Sequence, residues 1–152
     1  MVADIICMKD TDSAWAAGFL DGEGCFHIAE RKSRQYVYVQ GVIKANQVEP
    51  EPIQKLHNMF GGQYSERNIK TVTGKTVYEW TCNSFENQIA VVPLLLPYFL
   101  VKQHQAKLVL ELAHIKSIRT SRASTTNQEQ YEILNKFNKL RRIKEYVNAI
   151  PA

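Results

Sequence analysis

The most informative segment of this 152-residue chain is Ala16-Ala17-Gly18-Phe19-Leu20-Asp21-Gly22-Glu23-Gly24. It places two carboxylates, Asp21 and Glu23, at the end of a short apolar helix, with one glycine between them. Asp12 has the chemistry of an N-cap residue, so we predict a helix from about Ser13 to Asp21. Two adjacent carboxylates in a basic chain indicate a site for a divalent cation that acts on a polyanion.

The predicted helix has two unlike faces. Helical spacing puts Trp15 and Phe19 on a bulky apolar face, which we expect to enter the core. The other face is nearly bare of side chains and consists of Ala14, Ala17, Gly18 and Asp21. A second helix could approach such a face closely, so the pattern predicts pairing with a twin helix whose acidic end lies alongside.

This segment resembles the LAGLIDADG motif of homing endonucleases. Gly18 and the run from Asp21 to Gly24 follow the common form of the motif, in which the final acid is Asp or Glu. Ala16 stands where the family often has Leu. The motif occurs once here. In the family, one copy in a short chain implies a homodimer, and two copies imply a pseudo-symmetric monomer.

Composition predicts a single globular domain spanning residues 1–152, with a core from about 12 to 118 and a C-terminal helical extension from about 126 to 149. The chain is 45% hydrophobic, which is enough for a real core. It lacks an apolar run long enough to cross a bilayer and shows no evident secretory signal, so we expect no membrane association. The three cysteines have no metal-ligand spacing. We therefore expect reduced thiols in an intracellular compartment, either the cytoplasm or an organelle such as a chloroplast or mitochondrion.

Basic residues are clustered in the sequence, and the net charge is +4. This distribution permits nucleic-acid binding without establishing it, because solvated surface charge is an equally good reading of any one cluster. The three clusters are Arg31, Lys32 and Arg34; Lys116, Arg119 and Arg122; and Lys136, Lys139, Arg141, Arg142 and Lys144.

Hydrophobic periodicity predicts a helix, two strands, a helix, two strands and then further helices. After the first helix, the predicted strands are Cys25 to Ala29 and Tyr36 to Gln47, followed by a helix that opens at Glu49-Pro50 and closes at Gly61-Gly62, and by a hairpin of Tyr64 to Thr71 and Lys75 to Thr81 with its turn near Thr73-Gly74. The later predicted helices are Phe85 to Val92 with Ser84 as N-cap, Tyr98 to Ile118, and about Asn127 to Asn148 with a capping box of Thr126 and Glu129. The fold class is therefore α+β, with a four-stranded antiparallel sheet that has one face for helices and one face free for a ligand. The resemblance agrees, since the family fold is αββαββα, with a curved sheet that sits over the DNA major groove as a saddle and with C-terminal helices. The similarity extends from about Ser13 to Ile118.

The resemblance implies a catalytic centre at the end of the first helix. It makes Glu23 the metal ligand at the final acid of the motif, with the Gly22 carbonyl as a further ligand. Mg²⁺ is the expected cation and Mn²⁺ could substitute, because such ions keep several waters and need few carboxylates. The family uses the acid at Asp21 mainly as a structural residue of the helix interface, together with the bare face of Ala14, Ala17 and Gly18.

Two further residues are implied in catalysis. The family places a polar residue, often Gln, at the end of the second strand to position water, and this is Gln47 or, with a shifted register, Asn46. Lys102 lies in a segment, Pro97 to Ala106, that matches a family pattern whose Lys lies near the scissile phosphate. One departure is that residues 48–54 contain no basic residue after the Gln position. Either Arg67 or Lys70 takes that role, or the pocket carries less charge.

Strand parity predicts the side chains that face DNA. Lys and Arg would bind phosphates, and polar or aromatic side chains would read base edges. The predicted set is Cys25, His27, Ala29, Arg31, Lys32, Ser33, Arg34, Tyr36, Tyr38, Gln40, Lys44, Asn46, Arg67, Asn68, Lys70, Glu79 and Thr81.

The leading functional hypothesis is a homodimeric, metal-dependent endonuclease that cuts double-stranded DNA at a long, partly palindromic site and serves the mobility of a group I intron. One alternative is an intron maturase of the same fold, which would bind intron RNA. Another is a non-catalytic DNA-binding protein. Glu23 and Lys102 favour the nuclease, because binding alone does not require them.

Overall fold

A computed structural model describes residues 8–68, 74–118 and 128–149, with side chains as far as residue 142. The predicted order of elements is confirmed within these residues. The elements are α1 (Asp10–Glu23), β1 (Gly24–Lys32), β2 (Val37–Gln47), α2 (Pro50–Phe60), β3 (Gln63–Asn68), β4 (Thr76–Cys82), α3 (Phe85–Leu95), a 3₁₀ turn (Leu96–Tyr98), α4 (Gln103–Ile118) and α5 (Gln128–Ala149). None of these helices has both the length and the apolar character needed to cross a bilayer.

The four strands form one antiparallel sheet in the order β1-β2-β4-β3. Its register pairs Gly24 with Ala45 between β1 and β2, and Tyr64 with Trp80 between β3 and β4. Because side chains alternate between the faces of a strand, this register assigns every strand residue to one of two faces. The face packed against the helices carries the buried residues Phe26, Ile28, Val39, Ile43, Ala45, Trp80 and Cys82.

The N-terminal half of β2 has no strand on its second edge, because β4 pairs only with residues 43–47. Two helix side chains serve that edge instead. Buried Gln88 of α3 donates from Nε2 to the Gly41 carbonyl at 2.7 Å and to the Cys82 carbonyl at 3.1 Å. Lys116 of α4 donates to the Val39 carbonyl at 2.7 Å. These contacts satisfy backbone acceptors that an unpaired edge would otherwise leave without partners.

The α2 helix begins with Pro50 and ends at two glycines, as the sequence predicts. Gly61 and Gly62 have φ values of 68° and 81°, in the left-handed region that glycine tolerates best. A Cβ at Gly62 would also lie 2.6 Å from the Thr81 carbonyl oxygen, so only glycine fits there. This close turn lets the buried Trp80 ring donate from Nε1 to the Gly61 carbonyl at 2.8 Å, which fastens α2 to β4.

The α1 helix differs from its prediction in extent and orientation. It begins at Asp10 rather than Ser13 and has no side-chain N-cap. Its core face is formed by Ser13, Ala16, Ala17 and Leu20. The expectation that Trp15 and Phe19 enter the core is met only in part, because both are half-buried. They pack against the core and stack on each other with ring centroids 5.5 Å apart. The helix thus uses small side chains to lie close to the sheet.

The later elements follow the prediction with one clear exception. The predicted N-cap Ser84 accepts a hydrogen bond from the Asn87 N–H at 3.1 Å. The exception is α4, which begins at Gln103 instead of Tyr98, after the 3₁₀ turn. The last helix, α5, begins at Gln128; Thr126 of the predicted capping box, and Thr73 of the predicted β3–β4 turn, lie outside the described residues.

Candidate active site and nucleic-acid interface

The junction of α1 and β1 places the Glu23 carboxylate at the protein surface. The helix ends at Glu23, and Gly24 starts the first strand directly, without a loop. A Cβ at Gly24 would lie 2.6 Å from the Leu20 carbonyl oxygen, so the tight junction requires glycine. Glu23 and Gly22 are both exposed there. The junction therefore presents a carboxylate and a bare stretch of backbone side by side.

The Asp21 carboxylate is turned toward its own chain. It accepts hydrogen bonds from the backbone N–H groups of Leu100 at 2.7 Å, Lys102 at 3.0 Å and Val101 at 3.3 Å. These groups lie just before α4, where backbone donors have no partner within the helix. Asp21 therefore caps the approach to α4 from 80 residues away in sequence, which explains why α4 begins later than predicted. Its structural role, implied by the resemblance, has this physical basis.

Lys102 makes a second set of contacts between the end of α1 and the start of α4. Its Nζ donates to the Leu20 and Asp21 carbonyls at 2.8 Å each, and also to the Gly24 carbonyl. A cation at the end of a helix complements the partial negative charge of the last carbonyls. Lys102, predicted to be catalytic, thus contacts the backbone on both sides of Glu23, at Asp21 and at Gly24, and holds the end of α1 in position.

Gln47 lies at the same end of the sheet. Because Ala45 pairs with Gly24, the two residues beyond it extend past the start of β1, toward the α1–β1 junction. The Gln47 side chain belongs to the helix-facing side of β2, and its Oε1 accepts a hydrogen bond from the Val48 N–H at 2.8 Å. The amide therefore caps the end of its own strand, which leaves its Nε2 group as the donor available for other partners. Asn46, the alternative residue, is exposed on the opposite face, paired with Glu79.

The described residues contain no cluster of three or more His, Cys, Asp or Glu side chains that could hold a metal ion. One carboxylate cannot enclose a divalent cation. Mg²⁺, however, takes one or two carboxylates and completes its shell with phosphate oxygens and water. The exposed Glu23 beside exposed Gly22 fits that incomplete donor set, provided that other ligands come from outside the protomer.

The sheet face opposite the helices is lined by polar, basic and aromatic side chains, and none of them is buried. We call it the saddle face. It consists of Cys25, His27, Ala29 and Arg31 of β1; Tyr38, Gln40, Val42, Lys44 and Asn46 of β2; Gln63, Ser65 and Arg67 of β3; and Val77, Glu79 and Thr81 of β4. Most of the residues predicted to face DNA are therefore gathered on one surface, and Ser33, Arg34 and Tyr36 continue it in the β1–β2 loop.

Two of the predicted DNA-facing residues lie elsewhere. Lys32 belongs to β1, which extends three residues beyond its predicted end at Ala29, and its register with Val37 puts it on the face opposite Arg31. Asn68 pairs with Thr76 and also belongs to the helix-facing side; its Oδ1 accepts a hydrogen bond from the Thr76 hydroxyl at 2.9 Å. Lys70 lies outside the described residues.

Gln63 and Ser65 are saddle-face residues that were not in the predicted set. The predicted strand began one residue late, at Tyr64, and mixed the two faces. The signal that could have found them is Trp80, because a buried Trp fixes the inner face of β4. Its antiparallel partner Tyr64 must share that face, so the neighbours of Tyr64 must point the other way.

Arg67 and Glu79 form an ion pair on the saddle face. The Arg67 Nη2 atom lies 2.6 Å from the Glu79 Oε2 atom, and the Glu79 side chain is only 16% exposed. A guanidinium held by a carboxylate keeps further N–H groups for a second partner in the same plane. The pair therefore has the form of a fixed arginine that could contact a base edge.

The bare face of α1 divides into two parts. Ala14 and Gly18 are exposed, and a Cβ built at Gly18 meets nothing within 4 Å. The prediction that Ala17 contacts a second copy was wrong, because Ala17 is 0% exposed in the core of its own protomer. The carboxylate of Asp21, also assigned to that interface, binds its own chain as described above. The exposed stripe thus runs through Ala14 and Gly18 toward Gly22.

The chain thus combines a helix that ends in an exposed acid with an antiparallel sheet whose polar face lies opposite the helices. The chain belongs to the LAGLIDADG endonuclease family, whose sequence profile matches residues 16–110, well over half of its length. No curated protein sequence matches it. The matched region contains Glu23, Lys102 and the whole sheet.

Several solved structures share the fold. The homing endonuclease I-TnaI superposes with a TM-score of 0.61 at 20% identity, over 92% of this chain and 98% of that one. I-CvuI, in complex with a DNA target, gives a TM-score of 0.58 at 21% identity, over 85% and 96%. I-SmaMI, bound to cleaved DNA, gives 0.60 at 21% identity, over 79% of this chain and 40% of that one. The chain thus matches nearly all of I-TnaI and I-CvuI, but less than half of I-SmaMI.

Proposed function

We propose that the protein is a site-specific homing endonuclease that cuts double-stranded DNA as a homodimer with the aid of a divalent cation. The observation that carries the proposal is the exposed Glu23 carboxylate, held at the edge of the exposed Ala14 and Gly18 stripe of α1. A second copy packed on that stripe would bring its own Glu23 alongside. The pair would bring two carboxylates to one site, whereas the described residues of one protomer contain no cluster of three or more His, Cys, Asp or Glu side chains.

The saddle face would hold the substrate. Arg31 and Lys44 carry the charge for salt-dependent phosphate binding, and the polar side chains between them present donors and acceptors to base edges. Two saddle faces related by a dyad would read two half-sites in opposite orientations, so the preferred target is long and partly palindromic. By resemblance, the gene would lie in a group I intron, and cleavage would serve the mobility of that intron.

Catalysis would take place where the two α1 ends meet. Glu23, with the Gly22 carbonyl, would hold Mg²⁺ or Mn²⁺, which supplies charge neutralisation at the scissile phosphate and lowers the pKa of attacking water. Lys102 would fix the carbonyl end of α1 and add positive charge close to the phosphate. Gln47 would orient water through its Nε2 group, since its Oε1 is bound to Val48.

The solved relatives support this assignment. I-CvuI was crystallised with target DNA in the presence of 2 mM Mg, with the DNA not cleaved, and also with 2 mM Ca. I-SmaMI is bound to cleaved DNA. The near-complete coverage of I-TnaI and I-CvuI fits a chain that is one repeat of the fold, which needs a partner. We also propose an intracellular, reducing compartment, in keeping with the free thiols of Cys25 and Cys82.

The experiment is selection of cleaved sites from a randomised pool of duplex DNA in Mg²⁺ or Mn²⁺, followed by assays on the selected site. The wild-type protein is expected to yield a partly palindromic consensus. Glu23→Gln is expected to bind that site with near wild-type affinity and to lose cleavage. Glu86→Gln is the matched control, because Glu86 is also exposed but belongs to α3. Failure of the wild type to cleave in either metal, or undiminished cleavage by Glu23→Gln, would refute the proposal.

A further inference from the structure

The helix α5 packs beside the edge strand of the sheet, close to the candidate active site. Ile133 and Phe137 of α5 are 1% and 6% exposed, and they bury its apolar face. Tyr131 donates from its hydroxyl to a carboxylate oxygen of Glu30 in β1 at 3.0 Å. Lys136 lies 3.9 Å from Glu111 of α4. These contacts fix both the position of α5 and its rotation about its axis.

Residue Phe137 reaches the saddle side of the sheet. Its ring meets the ring of His27 edge to face, with centroids 5.9 Å apart and planes at 81°. His27 alternates with Phe26 and Ile28, which point to the helices, so it belongs to the saddle face. The helix α5 therefore lies along the edge of β1 and borders the saddle face.

Helix and strand enclose a pocket of about 400 Å³ at this border. The pocket begins at Gly24, next to the exposed Glu23, and Arg141 of α5 forms part of its wall. None of the described lining residues is acidic; they are Gly24, Cys25, Phe26, His27, Lys102, Gln105, Phe137, Leu140 and Arg141.

Several positive charges act on His27, and two cationic side chains, Lys102 and Arg141, line the pocket itself. Burial lowers the pKa of the His27 imidazole, and the positive charges of Arg31, Arg141 and Lys44 lower it further. Arg141 is itself exposed, so it can meet a ligand as well as act on His27. Like charges held together on a surface attract a polyanion, and a DNA duplex lying on the saddle face would cross the sheet edge here.

We propose that Arg141, positioned by α5 beside His27 at the pocket, binds a backbone phosphate of the DNA close to the Glu23 end of the saddle face. This inference rests on the proposed DNA-binding function and extends the interface from the sheet to the C-terminal helix. Arg141 contributes to affinity and to the placement of the backbone near the cut, and not to the choice of bases, because phosphate contacts carry no sequence information directly.

The test compares Arg141→Gln with Arg142→Gln in the full-length protein. Arg142 is the matched control because it is adjacent and exposed but does not line the pocket. The affinity for a 30-base-pair duplex of arbitrary sequence is measured at several salt concentrations. Each lost phosphate contact should reduce the slope of log affinity against log salt by about 0.9, and hence by about 1.8 for a dimer. Arg142→Gln should leave the slope unchanged, and Arg141→Lys should restore it.

A second measurement confirms the placement without DNA. Proton NMR of the His27 ring in the free protein should show a higher pKa in Arg141→Gln than in the wild type or in Arg142→Gln, since a repelling charge is removed. If the wild type binds duplex DNA and Arg141→Gln keeps the wild-type salt slope, this inference is overturned while the proposed function stands. If the wild type binds no duplex, both are overturned.

Discussion

Replacing Asp21 by Asn separates the structural from the catalytic acid of the motif. The two Asp21 oxygens share three backbone donors: Oδ2 accepts from Leu100, and Oδ1 from Val101 and Lys102. Asparagine has one acceptor oxygen and an NH₂ group. In either orientation the NH₂ group faces at least one of these N–H donors, and the remaining hydrogen bonds lose the assistance of a charge.

The expected cost follows from these contacts. Hydrogen bonds to charged groups contribute about 1.5–3 kcal/mol each, and the partial exposure of this site favours the lower end of that range. Loss of one bond and weakening of the others should destabilise the protein by about 2–4 kcal/mol. Glu23→Gln, at an exposed position, should change the stability by no more than about 0.5 kcal/mol.

The assay is urea unfolding at a fixed protein concentration, followed by tryptophan fluorescence from Trp15 and Trp80 and by far-ultraviolet circular dichroism. With a slope of about 2 kcal/mol per molar urea, Asp21→Asn should lower the midpoint by about 1–2 M, whereas Glu23→Gln should leave it in place. Should Asp21→Asn unfold at the wild-type midpoint and yet fail to cut DNA, Asp21 would act in the chemistry and the capping argument would fail.

Two other predictions concern surfaces of contrasting exposure. Gly18→Leu should stay folded, because Gly18 is exposed and a Cβ there meets nothing within 4 Å in its own protomer, but sedimentation should show a 17.4 kDa monomer in place of the dimer proposed for the wild type. Asn135→Leu on the exposed face of α5 is the control, and a dimeric Gly18→Leu would contradict the proposed interface. A thiol reagent should label exposed Cys25 rapidly and reach Cys82 only on unfolding, because burial raises the pKa of Cys82 from its ordinary 9.0 to about 12. The unfolded chain then loses a proton that the folded chain keeps, so the free energy of unfolding should fall by about 1.4 kcal/mol per pH unit between about pH 9 and pH 12. Cys82→Ala should abolish that share of the loss.

Alternation along β1 and β2 was enough to predict one half of the saddle face. Buried residues such as Ile28 and Ile43 are β-branched and regularly spaced, so the side chains between them could only point outward. The prediction was poorer in β3, where Tyr64 is the sole large apolar residue between Gln63 and Asn68. An exposed strand with little apolar content carries a weak register signal, and Asn68 was therefore assigned to the wrong face.

The orientation of α1 could not be predicted because small residues occur both on the face that packs in the core and on the exposed stripe. Ala17 and Gly18 differ by one methyl group, yet Ala17 is fully buried and Gly18 is exposed. The partner of Asp21 was equally out of reach, since it lies about 80 residues away and consists of backbone N–H groups that any residue could provide. The resemblance supplied the structural role of Asp21 but not its partner.

The placement of the Glu23 carboxylate depends on contacts on both sides of α1. Within the protomer, the carboxylate of Asp21 and the ammonium group of Lys102 tie the end of the helix to the start of α4. In the proposed dimer, the exposed stripe at Gly18 sets how closely the second helix approaches. A change at either contact would displace Glu23 without removing it. Variants at Asp21 and Gly18 should therefore lose cleavage through geometry, whereas Glu23 variants should lose it with stability and dimerisation intact.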